Sequence, residues 1–316
     1  MSRKHLVYVD GQEGTTGLRI HEVLAERADI EVLKIEPDKR KDPAERARLL
    51  NASDLSFLCL PDAASREAAA MVTNPHTCLI DASTAFRTDP SWAFGLPELA
   101  PHQRDAIQQN KRIANPGCHA TAFILLVRPL VDAGLVSPAQ ALSATSITGY
   151  SGGGKKMIEQ YEAGGNPELL APRPYALGLG HKHLPEMTLH SGLQTAPLFM
   201  PIVGPFYKGL TVSIPLALTA LRPGSSGESL QQCLAERYAD ESFIRVMPLC
   251  DPEVLAHGFF DSQRCNDSNR VDLFVFASAT QAILMACLDN LGKGASGAAV
   301  QNMNLHLGCA EGAGLN

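Results

Sequence analysis

Asn115-Pro116-Gly117-Cys118-His119 places a thiol where an apolar strand ends, a tight turn intervenes and a helix begins. A helix start offers unbonded backbone N–H groups and the positive end of the peptide dipoles, and both favour a thiolate. The same N–H groups suit the oxyanion of a tetrahedral adduct, so the turn has the chemistry of a nucleophilic cysteine. The competing reading is a buried cysteine that happens to start a helix. The other seven cysteines, Cys59, Cys78, Cys233, Cys250, Cys265, Cys287 and Cys309, form no C-x-x-C pair and match no zinc spacing. They read as small apolar residues of a reducing compartment.

A nucleophilic cysteine needs a proton carrier. Gly180-His181-Lys182-His183-Leu184-Pro185-Glu186 is a polar cluster between segments of apolar loop. Imidazole titrates near neutrality, so His181 or His183 is a candidate acid/base; residue type does not choose between them. Two histidines at this spacing can bind a metal, but Glu186 and Cys118 complete no recognisable ligand set, so no metal site is expected. A surface loop with incidental histidines is the alternative.

Gly11-Gln12-Glu13-Gly14-Thr15-Thr16-Gly17 follows the first apolar run and opens a helix. Glycines permit a tight turn and close approach of a pyrophosphate to the helix N-terminus. The spacing is G-x-x-G-x-x-G rather than G-x-G-x-x-G, but strand before and helix after favour a dinucleotide site at Gly11, Gly14, Thr15, Thr16 and Gly17. Glu36 stands near the offset of about 20 residues at which an acid binds the ribose of NAD. Lys39, Arg40 and Lys41 follow at once and suit a 2′-phosphate, which favours NADP; a solvated basic loop explains them nearly as well. Gly292-Lys293-Gly294-Ala295-Ser296-Gly297 is a further small-residue turn, with Gly292 and Gly294 as candidate cofactor contacts.

The elements that must hold these groups change character along the chain. Strand and helix patterns alternate at the start: strands at 6–10, 30–35, 54–60 and 77–82, helices at 16–27, from the Asp42-Pro43-Ala44-Glu45 start, and at 63–72. That alternation implies a parallel sheet. A loop-rich stretch, 83–110, precedes a short strand at 112–114 and a helix from 118 to about 133. Later strands, 141–148, 209–218 and 271–278, are longer and rich in β-branched residues, with a helix at 228–238 behind a Ser225-x-x-Glu228 cap. They suggest an α+β domain with a mostly antiparallel sheet. An amphipathic final helix, 296–307, is positioned to return to the first domain. The fold class is therefore α/β: a Rossmann-type doubly wound parallel sheet plus an α+β catalytic domain.

With 316 residues, two domains are expected. A net charge of −6 argues against nucleic-acid binding. No apolar stretch reaches the ~18–20 residues of a membrane span, and the run after the basic N-terminus is too short for a signal peptide, so the expected location is cytoplasmic.

Taken together, the chain resembles the N-acetyl-gamma-glutamyl-phosphate reductases of the shorter type. The resemblance rests on seven ordered blocks: the Gly11/Gly14/Gly17 turn, Asp81-Ala82-Ser83-Thr84-Ala85-Phe86-Arg87, Gly95-Leu96-Pro97-Glu98-Leu99, Asn115-Pro116-Gly117-Cys118, Ser151-Gly152-Gly153-Gly154, His181-x-His183-x-Pro185-Glu186, and Asn290 through Gly297. It implies an NADP-binding domain, 1–117 with 290–316, and a catalytic and oligomerisation domain, 118–289. It also implies Cys118 as nucleophile, His181 or His183 as acid/base, NADPH as cofactor, and a homodimer or homotetramer. His119 departs from the aromatic residue often found after the cysteine.

The implied reaction runs through a Cys118 thioester: an acyl phosphate is attacked, phosphate leaves, and hydride reduces the thioester to a semialdehyde, in arginine biosynthesis. The substrate is then a small-molecule acyl phosphate, with Ser83, Arg87, Asn115 and Gly153 as candidate contacts. Arginine suits bidentate oxyanion binding, although a structural ion pair explains Arg87 equally. Rival readings are a reductase for aspartyl phosphate or a carrier-linked glutamyl phosphate, a non-catalytic NADP-sensing protein, and a cofactor-free thiol hydrolase.

Overall fold

Along strand β1 (His5–Asp10), Val7 and Val9 point to one face and Tyr8 to the other, and all three are buried. A strand buried on both faces is the mark of a parallel sheet covered by helices on each side. In this computed structural model, residues 3–12 and 14–316 are described. They divide into two units, 1–117 with 295–316, and 118–294, so residues 290–294 group with the second unit.

The first unit continues with α1 (Thr15–Ala25), β2 (Ile30–Leu33), α2 (Pro43–Ala52), β3 (Leu55–Leu58), α3 (Asp62–Ala70), β4 (Cys78–Asp81), β5 (Ala93–Phe94), α4 (Gln103–Gln109) and β6 (Arg112–Ala114). The six strands form one parallel sheet in the order β2-β1-β3-β4-β6-β5. Ile20 and Leu24 of α1 and Val300 and Met303 of the C-terminal helix (Gly297–Leu307) cover one face; Leu49 and Leu50 of α2 and Ala68 of α3 cover the other. Asp42 caps α2 as the sequence suggests, its carboxylate accepting from the amides of Ala44 and Glu45.

Two expectations are corrected here. The stretch 83–110 contains β5 and α4, whose two and seven residues are too short to show a periodicity. The C-terminal helix is buried from Gly297 to Leu305 rather than amphipathic. Its polar residues bond inside the unit: Gln301 donates to Glu98, and Asn302 to the Gly95 carbonyl.

The second unit opens with α5 (Cys118–Asp132) and continues through β7 (Ser143–Gly149), α6 (Lys155–Glu162), β8 (Arg173–Pro174), α7 (Leu184–Ser191), β9 (Leu198–Gly204), β10 (Leu210–Ala217), α8 (Gly227–Arg237), β11 (Ile244–Val246), the small hairpin β12 (Leu255–Ala256) and β13 (Phe259–Phe260), β14 (Val271–Ala277) and β15 (Gln281–Leu288). The sheet order is β11-β14-β15-β10-β7-β9-β8. The β11–β14 and β7–β9 pairs run parallel; the other neighbours are antiparallel. The expected mostly antiparallel second sheet is therefore present, with β9 and β15 as long strands beyond those read from the sequence.

Helix α5 packs against β15, β10, α7 and α8 and is buried on nearly every side. Pro129 lies inside it. Proline has no N–H, so the carbonyl four residues back, Leu125, loses its helical donor. The Tyr238 hydroxyl replaces it at 2.8 Å. The cap of α8 is Ser226 with Ser229, not Ser225 with Glu228: each serine hydroxyl accepts from the other's amide. Consecutive serines made the cap ambiguous by one residue. No described helix is long and apolar enough to cross a membrane.

Candidate active site

Cys118 is the first residue of the fifteen-residue α5 and is half-buried as a thiol. Gly294, in a π-helical turn at 292–296, lies against it. A Cβ added at Gly294 would stand 2.7 Å from the Cys118 Cβ, so only glycine allows this approach. Single π turns recur at functional sites.

His119 follows in the same helical turn and is 3 % exposed. Its Nδ1 lies 2.8 Å from the Ser146 hydroxyl and its Nε2 3.1 Å from that of Tyr175. Its ring meets those of His181 at 5.4 Å, His183 at 5.5 Å and Phe199 at 5.3 Å between centroids. Burial, then His181 and Lys182, push the His119 imidazole down to about 3; burial, then Lys182, take His181 to about 4. Both rings are neutral near pH 7. Burial first, and then the charge of Cys118, raise the Tyr175 hydroxyl.

The histidine cluster is a turn leading into α7 rather than loop alone. His183 is the buried N-cap of that helix, with Pro185 in its first turn. The His183 amide donates to Nδ1 of His181 at 3.1 Å. The His183 Nε2 lies 4.0 Å from a carboxylate oxygen of buried Glu186. Among the described residues no three side chains group as metal ligands.

The first unit carries the dinucleotide features. Gly11 has φ +89°, and a Cβ there would run into the Cys59 carbonyl. A Cβ at Gly17 would stand 2.6 Å from the Gly11 carbonyl. Helix α1 starts at Gly14 without a side-chain cap, with Thr15 and Thr16 half-buried in its first turn. This tight turn before an uncapped helix fits a pyrophosphate. Glu13 lies outside the described residues. Lys39, exposed, and Arg40, half-buried, lie at the end of a short 3-10 turn after β2.

Other expected site residues have protein partners. The Ser83 hydroxyl donates to Asp81 and accepts from the Ala85 amide. Arg87 donates to the carbonyls of Asn115 and Ala82. The Asn115 side chain donates to the Ala295 carbonyl and accepts from Asn302. These bonds tie the strand-end loops of the first unit together. Gly292 approaches the Ser268 carbonyl and Gly294 approaches Cys118, so both close contacts are within the second unit. Gly153 stands in a 3-10 turn with Met157 against it. Sequence reasoning missed Tyr175 and Ser146. A single tyrosine in a proline-rich loop and a serine in a strand carry no pattern.

Residues 6–107 match the family model described as semialdehyde dehydrogenase, NAD binding domain, and residues 118–290 the one described as semialdehyde dehydrogenase, dimerisation domain. N-acetyl-gamma-glutamyl-phosphate reductase 2 of Nostoc sp. is 45% identical over 320 residues, covering 99% of each chain. The Burkholderia lata reductase is 45% identical over 307 residues, covering 96% of this chain and 97% of that protein. The chain belongs to the N-acetyl-gamma-glutamyl-phosphate reductase family. The fold of this reductase is shared by solved structures at low identity. Aspartate semialdehyde dehydrogenase II of Vibrio cholerae, complexed with ASA, gives a TM-score of 0.72 at 16% identity, covering 97% of this chain and 99% of that one. The Candida albicans aspartate semialdehyde dehydrogenase with NADP gives 0.63 at 16%, covering 96% and 98%. The chain is an oxidoreductase of the phosphorylating aldehyde class that uses a nicotinamide cofactor.

Proposed function

We propose that this enzyme reduces N-acetyl-gamma-glutamyl phosphate to N-acetylglutamate semialdehyde, with release of phosphate, using NADPH, in arginine biosynthesis. The observation that carries the reading is Cys118 at the start of α5, with the histidine cluster packed around the next residue. The Cys118 thiolate attacks the acyl carbon, and the bond to phosphate breaks to leave a thioester. The nicotinamide, when bound, supplies the hydride that reduces the thioester carbon. Amides in the first turn of α5 are suited to hold the resulting oxyanion. Collapse of the thiohemiacetal releases the semialdehyde and restores the thiolate.

His183 suits the proton transfer better than His181. The backbone N–H of His183 occupies the Nδ1 lone pair of His181, so the neutral His181 ring carries its proton on Nε2 and is a fixed donor. The Nε2 of His183 faces a carboxylate oxygen of Glu186 at 4.0 Å, so a proton on that ring has an acceptor beside it. Lys39 and Arg40 support NADP over NAD, because a 2′-phosphate needs positive charge beyond β2. Arg87, Ser83 and Asn115 act in this reading by holding the loops of the first unit.

The apolar sheet face of the second unit supports a homodimer. Leu198, Met200, Ile147 and Ile283 are 58 %, 42 %, 37 % and 44 % exposed on one face. Ser143, Thr145 and Ser213 stand among them on that face, and exposed large apolar side chains gathered on one sheet face suit an association surface.

The test is NADP reduction in phosphate buffer with N-acetylglutamate semialdehyde against aspartate semialdehyde. A kcat/KM about 100-fold or more in favour of the former is expected, since a site built for polar substrate groups discriminates strongly. Preference for aspartate semialdehyde would keep the chemistry and overturn the substrate.

A further inference from the structure

We propose that His119 is a positioning residue: as the Nε2–H tautomer it holds the Tyr175 oxygen and turns the Tyr175 hydroxyl proton toward Cys118. The inference rests on the reading of Cys118 as nucleophile.

His119 is buried and touches two hydroxyls, Ser146 at 2.8 Å from Nδ1 and Tyr175 at 3.1 Å from Nε2. Both partners are fixed from the sheet. Ser146 is a fully buried residue of β7. Tyr175 follows β8, and its amide donates to the Pro201 carbonyl of β9 at 3.0 Å. The groups facing the ring are Cys118 on its own helix, Tyr175, His181, Lys182 and His183 in the loops, and Glu186 beyond them on α7. Burial first, then His181 and Lys182, keep His119 neutral.

A neutral imidazole has one N–H and one lone pair to share between the two hydroxyls. If Nδ1 carries the proton, Nε2 consumes the Tyr175 proton. If Nε2 carries it, Ser146 donates to Nδ1 and the Tyr175 proton is left for another acceptor. The Tyr175 hydroxyl stands 3.1 Å from the ring of the residue that directly follows Cys118 on α5, and the Cys118 charge acts on it, so Cys118 is the acceptor we assign to that proton. A phenol donor there serves the thiolate before attack and the oxyanion after hydride transfer.

The experiment is a double-mutant cycle of His119→Phe and Tyr175→Phe, each keeping a flat ring, with His119→Gln to restore a donor near Nε2. Each single variant should lower kcat about tenfold, the loss of one hydrogen bond in the site, with KM changed less than about threefold. The double variant should be no slower than the slower single. His119→Gln should recover activity, but only with Tyr175 present. Multiplying losses, or His119→Phe at wild-type rate, would overturn the proposal. The pH dependence of Cys118 alkylation by iodoacetamide, resolved by peptide mass, gives the same cycle without substrate. Each single variant should raise the alkylation midpoint and the double should raise it no further; independent shifts would overturn the proposal. Wild-type protein that alkylates in this way but turns over neither aldehyde would instead sink the assigned reaction. Thermal midpoints of all variants identify any that fail to fold, for which His119→Gln decides.

Discussion

One backbone bond sets two neighbouring histidines apart. Because the His183 amide fills Nδ1 of His181, the first ring is a donor of fixed orientation, and the second, beside Glu186, is the proton carrier in the proposed mechanism. His183→Asn should lower kcat by about 100-fold or more, the usual worth of a general acid/base. His181→Asn should cost less than His183→Asn and leave the shape of the pH profile intact. Steady-state kinetics across pH 6–9 check both, and the reverse ranking would exchange the roles. The pair was legible in the sequence because two histidines in a polar cluster stand out. Which one moves the proton was not, because the tautomer depends on the turn before α7. Tyr175 was illegible for a related reason: the Pro201 carbonyl and the His119 ring bring it to the site, and neither is near it in sequence.

The element that presents Cys118 is a nearly all-buried helix with a proline in it. Tyr238 donates to the Leu125 carbonyl that Pro129 leaves without a helical partner. Tyr238→Phe should therefore destabilise the protein by about 1–3 kcal/mol, the cost of an unsatisfied buried carbonyl. Denaturant unfolding measures it; an unchanged midpoint would mean the carbonyl has another donor. The helix was legible from its apolar run, but the donor that replaces the lost bond at Leu125 comes from a residue 113 positions beyond it. The same contrast holds among strands. β3 and β4 read plainly as buried runs, whereas β5, two residues long, exists only through its pairing with β6. β9 carries Pro201 in its middle and β15 lies between β14 and β10, and tertiary pairing decided both.

Two units divide the candidate groups at the scale of the molecule. The glycine turn at the start of α1 belongs to the first, and Cys118 with its histidines to the second. The two-part architecture was legible because strand–helix alternation gives way to long β-branched strands. The exposed sheet face was not, since alternating apolar residues look alike whether solvent or a second chain covers them. A charge on that face, as in Ile283→Lys or Met200→Glu, should convert a dimer into monomer by sedimentation, because burying an unpaired charge is costly. A wild-type monomer, or an unaffected dimer, would place the interface elsewhere.

The central claim is that Cys118 carries the acyl group. Its most direct test is NADP reduction by the purified protein given N-acetylglutamate semialdehyde and phosphate, beside Cys118→Ser. The account predicts phosphate-dependent turnover in the wild type and its loss in the variant, with cofactor binding retained in both. Near-normal turnover by Cys118→Ser would contradict the covalent mechanism.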